Sequence, residues 1–200
     1  MAFTCGICHG QHAGLPRDVA FAKPEAYLRL PEHSKGSAFI TADVCVIENR
    51  AFFIRGVLYL PVQGEAESDG FGWGIWAEIS APSFTRCLEL WEADATSEPP
   101  FEGSIASVIP GYAGTLGLPI SVHLGTASQR PRFKVLPEGH PLFSEQARGI
   151  TRAREHALLE VALPSLFTSP SCKDSGGCSP GLTGGMLLVR SIRTPSERPG

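Results

Sequence analysis

The runs FITADVCVI (39–47), ENR (48–50) and AFFIRGVLYL (51–60) decide how this chain is read. Both apolar runs are rich in β-branched and aromatic side chains, which suit a pleated, half-buried strand. Glu48, Asn49 and Arg50 between them carry a turn signal, so the pair is predicted to form a hairpin. With a three-residue loop, Ile47 faces Ala51. Stepping back two by two, Cys45 then faces Phe53 and Asp43 faces Arg55. Opposite charges across an antiparallel pair are mildly stabilising, which favours this register; a two-residue loop would shift it by one. Asp43 and Arg55 are therefore expected to meet, with Cys45 on the same face.

Working outward, Phe71–Ser80, with Trp73 and Trp76, reads as a third strand. Ser83–Ala93 reads as a helix, because Phe84, Cys87, Leu88 and Trp91 fall on one face at three-to-four spacing. Short strands are expected near 103–109, 118–124 and 132–136, separated by Gly and Pro. A final helix begins at Pro141, a residue suited to the first helical position. Its apolar stripe is Phe143, Ala147, Ile150, Ala157, Leu158 and Val161. Gly149 weakens it by about 1 kcal/mol relative to Ala, so a break there, recapped by Thr151, is open. Upstream, Pro24–Leu30 reads as one short helix stopped by Pro31. The expected fold class is α+β: a mainly antiparallel sheet of about six short strands with two main helices and an N-terminal Cys/His knuckle. A parallel βαβ sheet would need more crossover helices than the pattern offers.

Composition agrees with one globular domain over residues 1–162, the knuckle occupying 1–16. Apolar residues make up 42% of the 200 residues, while 22 Gly and 17 Pro favour short strands and many turns over long helices. Residues 163–200 are rich in Ser, Pro and Gly and are expected to be a largely disordered tail, although Met186–Val189 is apolar enough to add a strand. A net charge of −3 and a pI near 6.1 do not provide the basic face that duplex nucleic acid requires. The best basic cluster, Arg148, Arg152 and Arg154, reads as a solvated helix face. The longest apolar stretches, such as Val57–Val62, are too short to span a bilayer. The N-terminus shows no basic and apolar leader, so a reducing cytoplasm is the expected location, and a protein is the expected kind of partner. There the six cysteines are expected to be thiols or metal ligands.

Cys5-Gly6-Ile7-Cys8, followed by His12, is the sharpest chemical signal. Two thiolates three residues apart can grip one metal ion from a tight turn, and an imidazole can add a third ligand. A closed structural zinc site needs four. His9 adjoins Cys8 and is badly placed, so Cys45, His123 or His140 would have to complete the set. Buried free thiols and a redox dithiol are the other readings of this motif; only four residues precede Cys5 and no helix clearly follows Cys8, which disfavours redox chemistry. Arg55 is the only charge in Phe52–Leu60, so it is paired or faces a polar pocket. The bland reading is a structural ion pair with Asp43, and the functional one an anion-binding or thiol-activating pocket. Trp73, Trp76 and Trp91 read as core. His140, at a helix N-terminus with Glu145 one turn on, suits capping better than a general-base pair. No Gly-rich phosphate loop, G-x-S-x-G elbow or H-E-x-x-H helix is present.

Several of these strings occur together in one order: Cys5-x-x-Cys8, His12, Leu15-Pro16, Asp43-x-Cys45, Phe53-Ile54-Arg55-Gly56, Trp73-Gly74-x-Trp76, Pro110-Gly111-Tyr112, Arg130-Pro131, His140-Pro141-Leu142, Glu145-Gln146 and Gly149-Ile150. This pattern resembles the bacterial family called domain of unknown function 2199, over about residues 1–162. The resemblance implies no activity. It marks Cys5, Cys8, His12, Asp43, Cys45, Arg55 and His140 as positions of interest, and the tail departs from it. Two function classes follow. One is a metal-stabilised binding or regulatory module with a structural zinc knuckle, its ligands drawn from Cys5, Cys8, His12 and Cys45. The other is a metal- or thiol-dependent enzyme using Cys45, Arg55 and His140, in a pocket with Asp43 and Glu145.

Overall fold

The structure, a computed structural model, describes residues 3–4, 11–12, 15–65, 69–166 and 187–188. Its strands are β1 (Phe3–Thr4), β2 (Gln11–His12), β3 (Asp18–Phe21), β4 (Phe39–Ile40), β5 (Val44–Ile47), β6 (Ala51–Leu60), β7 (Phe71–Ile79), β8 (Phe101–Ile105), β9 (Pro119–His123), β10 (Arg132–Val135) and β11 (Leu187–Leu188). Its helices are α1 (Glu25–Leu28), α2 (Glu32–Lys35), α3 (Ala81–Glu89), α4 (Pro141–Arg148) and α5 (Arg152–Ala162).

The long apolar strands β6 and β7 are the centre of the molecule, paired antiparallel from Phe52↔Ile79 to Leu60↔Phe71. From β6 the chain meanders: β7, β8, β9 and β10 each pair antiparallel with the strand before. An odd number of meandering strands brings the last one back parallel to the first. β10 accordingly pairs parallel with β6, Arg132 opposite Val57, and closes a five-stranded barrel. Closure removes the open edges of these strands.

Around the barrel, β6 carries β5 and then β4 on the flank of its first half, and β7 carries β3 and then β11 on the flank of its first half. The core includes the fully buried Phe53, Leu58, Phe71, Trp73, Ile75, Trp76, Ile120 and Phe133. Strand β7 pairs with three strands, β6, β8 and β3, and is buried on both faces except at Glu78. Trp76 also donates its indole N–H to the Phe21 carbonyl at 3.1 Å, tying β3 to the barrel.

The expected α+β class holds, but the mainly antiparallel sheet of about six strands does not. The sheet is mixed: β10 on β6 and β3 on β7 are parallel. The argument that parallel pairs need helical crossovers fails here, because the meander itself is the crossover. Strand β3 lies in a stretch that the sequence reading leaves unassigned. The single strand expected over 39–47 is two strands folded on each other, Phe39 opposite Val46 and Ile40 opposite Cys45. Thr41 makes the turn, its Oγ1 accepting from the backbone N–H groups of Asp43 and Val44 at 3.2 and 3.1 Å.

The hairpin register is the expected one, with Ile47 opposite Ala51 and Cys45 opposite Phe53. Glu48 and Asn49 take positive φ in its turn. Among the described residues five helices stand where one short and two main ones are expected: the short one is α1, Pro31 precedes an additional α2 as its N-cap, and the last helix divides at Gly149. Thr151 recaps α5 by accepting from Arg154 N–H. No helix among the described residues is long and apolar enough to cross a membrane. Of the expected tail, Pro164–Leu166 form a 3-10 turn and Leu187–Leu188 add an edge strand to β3. The expectation of disorder elsewhere in it falls outside the described residues.

Candidate functional site

Three segments far apart in sequence converge on Asp43. The Thr41 turn delivers Asp43 to the start of β5, and Arg55 N–H donates to the Asp43 carbonyl at 2.8 Å, continuing the hairpin register. The parallel β10–β6 pairing brings in the third segment. With Arg132 opposite Val57, the residues just before β10 run alongside those just before Val57. Val57 N–H bonds the Pro131 carbonyl at 2.8 Å, and Arg130 arrives beside Arg55. The approach is close because residue 56 is glycine: a Cβ there would stand 2.6 Å from the Pro131 carbonyl oxygen and 2.2 Å from Phe133 Cζ.

The expected side-chain pair of Asp43 with Arg55 is corrected by this arrival. Arg130 Nε donates to Asp43 Oδ1 at 2.5 Å, with the two side chains 15% and 8% exposed. Arg55 turns instead to the Ala42 carbonyl, a long 3.4 Å contact, and its buried Nε has no acceptor among the described residues. Burial, and secondarily the charge of Arg130, hold the Arg55 guanidinium below its ordinary basicity, while Asp43 opposes them. Two guanidiniums thus share one carboxylate.

A crevice opens where Arg130 and Asp43 reach the surface, and Gln129, Thr126, Trp91 and Leu124 also line it. Its cavity volume is about 40 Å³, which suits a small polyatomic group rather than a nucleotide cofactor. Trp91 departs from the expectation that places it in the core with Trp73 and Trp76. Those two are fully buried, whereas Trp91 is half-buried and forms a wall of this crevice. Arg130 is a site residue that the sequence reading misses. Its one signal in the sequence is the Arg130-Pro131 pair among the family strings.

The remaining candidates go elsewhere. Cys45 is completely buried in the core, and burial pushes its thiol up to about 11; it lines neither this crevice nor the larger groove beside Gln146. Cys87 is buried too, and burial, helped by Glu98, raises its thiol to about 12. His140 caps α4: Nδ1 accepts from Leu142 N–H at 3.1 Å and Nε2 pairs with the Ala113 carbonyl at 2.9 Å. Glu145 accepts from the Tyr112 hydroxyl and from Arg154 Nε. The pocket expected to join Asp43, Arg55, His140 and Glu145 is therefore not formed; α4 packs against β10 and the other half of β6, where Gln146 bonds the Tyr59 carbonyl.

Gln146 bridges those strands, accepting from Val135 N–H and donating to the Phe133 carbonyl, both at 2.8 Å. A groove of about 330 Å³ lies beside it, lined by Tyr59, Phe143 and their neighbours. His123 pairs with Ser121 on β9, and burial, then the charge of Lys134, holds its imidazole below its ordinary value. The expected basic cluster is partly neutralised, Arg152 pairing with Glu65 and Glu155, and Arg154 with Glu145. Among the described residues no group of His, Cys, Asp and Glu side chains is assembled to hold a metal ion. Cys5 and Cys8 lie outside the described residues. Their flanks are described: Phe3 pairs with His12 and Thr4 with Gln11, antiparallel.

No curated protein and no solved structure matches the chain. A family model does. It covers residues 4–150, from the β1–β2 hairpin through the barrel and α4, and therefore takes in Asp43, Arg55 and Arg130 together. The chain belongs to the family DUF2199, described as an uncharacterised protein conserved in bacteria.

Proposed function

We propose that this protein is a binding or regulatory module whose N-terminal hairpin holds a structural zinc ion. The observation that carries the reading is the pairing of Thr4 with Gln11 and Phe3 with His12. It sets the two flanks of the segment that contains Cys5 and Cys8 side by side, with His12 on the second flank. A thiol pair bracketed by two short strands, with an imidazole-bearing residue alongside, has the donor chemistry of a zinc knuckle. Cys45, buried in the core, is the weakest of the four ligands first considered.

The side chains that an enzyme would need favour a non-catalytic role. Cys45 and Cys87 are buried thiols held protonated, far from the low-pKa exposed thiolate of a nucleophile. His140 spends both ring nitrogens on backbone groups, and Glu145 is committed to Tyr112 and Arg154.

Elemental analysis of the purified chain tests the metal. About one zinc per chain is expected. Cys5→Ser and Cys8→Ser should each lose the metal together with stability, because metal-binding energy in such sites is folding energy. Metal-free protein with an unchanged melting temperature refutes the reading.

A further inference from the structure

We infer that the crevice at Asp43 and Arg130 binds a small organic monocarboxylate, whose carboxylate sits on Arg130 in the field of Arg55 and whose short apolar body lies against Trp91 and Leu124. The inference deepens the reading of the protein as a binding module by naming its ligand class.

Charge carries the first step. Arg55 and Arg130 face one carboxylate, Asp43, in a setting where Asp43 and Arg130 are 8% and 15% exposed. The cluster holds one uncompensated positive charge. Buried charge of this kind is costly unless paired. Glu98, whose charge is felt at Cys87 on the crevice wall, does not supply the balance, because it is held by Arg86 through two bonds of 2.8 and 2.9 Å. An excess of one charge calls for a monoanion. A dianion would overshoot it and meet the Asp43 carboxylate as well.

Hydrogen bonding carries the second step. Arg130 spends only Nε on Asp43 and has no other protein acceptor among the described residues. Its terminal nitrogens present the planar fork that suits a carboxylate. Arg55 adds charge from behind: its Nε is buried without an acceptor, and it is not among the crevice-lining residues.

Shape and lining carry the third. Thr126 and Gln129 add uncharged polar groups to Arg130 and Asp43 in the lining, while Trp91, Leu90 and Leu124 are apolar. The volume of about 40 Å³ admits a carboxylate with a few carbons. Pockets that combine an apolar wall with one fixed charge select small amphipathic ligands.

The full chain is titrated with sodium acetate and sodium propionate, against sodium chloride and sodium phosphate at matched ionic strength. Melting temperature and tryptophan emission are followed. Trp73 and Trp76 are fully buried, so Trp91 is the reporter at the site. A saturable rise in melting temperature and a saturable emission change are expected with both carboxylates, propionate binding more tightly. Trp91→Phe should abolish the emission change and reduce the melting shift, more for propionate than for acetate. Arg130→Gln should weaken binding by about tenfold or more, the value of one charge-assisted bond, while Arg29→Gln, which breaks an exposed pair with Glu25 away from the crevice lining, leaves it unchanged. If Arg130→Gln does not fold, Arg130→Lys keeps the charge and loses the fork, and should bind more weakly than the parent.

A response no different from chloride, one seen only with phosphate, or one that survives in the Arg130 variant overturns the inference. Zinc content is measured on the same samples. A full complement of zinc without carboxylate binding sinks this site and leaves the module reading standing; loss of zinc sinks that reading instead.

Discussion

Replacing Asp43 by asparagine removes one charge and leaves the side-chain shape almost unchanged. In the native cluster the Asp43 carboxylate is 8% exposed and takes Arg130 Nε at 2.5 Å, with Arg55 beside it. The asparagine amide would still offer an oxygen to Arg130, so the hydrogen bond is weakened rather than lost. The field is lost: two half-buried guanidiniums then repel each other with no anion between them. Breaking a buried pair from one side costs about 3–5 kcal/mol. Retention of the oxygen puts Asp43→Asn near the lower end, about 3 kcal/mol. For a domain of this size that corresponds to a melting point lowered by about 6–12 °C.

Arg130→Gln should cost less, because it removes the excess charge and frees Asp43 for Arg55. The double variant should therefore be more stable than the two separate losses imply, with a coupling of about 1 kcal/mol or more. Urea unfolding of the four proteins at pH 7 measures all of this. A loss under about 1 kcal/mol for Asp43→Asn would make the pair an ordinary surface bridge. Strict additivity would show that Arg130 and Asp43 do not act together. Either result refutes the cluster.

Other perturbations probe the surroundings. Gly56→Ala should destabilise by about 1–3 kcal/mol or more, since its Cβ meets Phe133 and the Pro131 backbone, while Gly36→Ala, with nothing within 4 Å of its Cβ, serves as the neutral control in the same denaturation series. The Cys45 and Cys87 thiols, raised to about 11 and about 12, should resist a disulfide reagent at pH 8 in the native protein and react once it is unfolded. Because the folded values lie above the unfolded ones, their contribution is complete below about pH 9 and declines from there toward pH 11 and beyond, as the unfolded thiols ionise first; melting temperatures across that range check the sign. Truncation after Leu166 removes β11 but leaves β3 its parallel pairing with β7, so it should cost no more than about 1–2 kcal/mol and preserve one cooperative transition in chemical denaturation.

What could be read from the sequence was what adjacent residues decide. The turn at Glu48–Arg50 set the hairpin register, and every predicted pair from Ile47–Ala51 to Cys45–Phe53 is formed. His140 before Pro141 was legible as a cap because the bond it makes spans two residues. The break at Gly149 with Thr151 restarting the helix was legible for the same reason. Periodicity could not reveal closure. Strand β10 alternates as any edge strand would, buried at Phe133 and Val135 and exposed at Arg132 and Lys134. Nothing in those four residues says that β6 is the neighbour.

The site followed the closure. Asp43 and Arg55 were set at matching places in one hairpin, and the backbone bond from Arg55 N–H to the Asp43 carbonyl continues that register. Which cation the carboxylate takes was decided by a residue 87 positions away, delivered by a parallel pairing. Strand register fixes which positions are neighbours; it does not fix how charges are shared when a third strand brings another one. Had Arg130 been neutral, the predicted pair would be a self-contained ion bridge with nothing left to bind. Its arrival converts a balanced pair into a cluster with one positive charge to spare, at the mouth of a crevice walled by Trp91 and Leu124. The tertiary contact that defeats the local prediction is therefore also the one that gives this surface a ligand-binding chemistry.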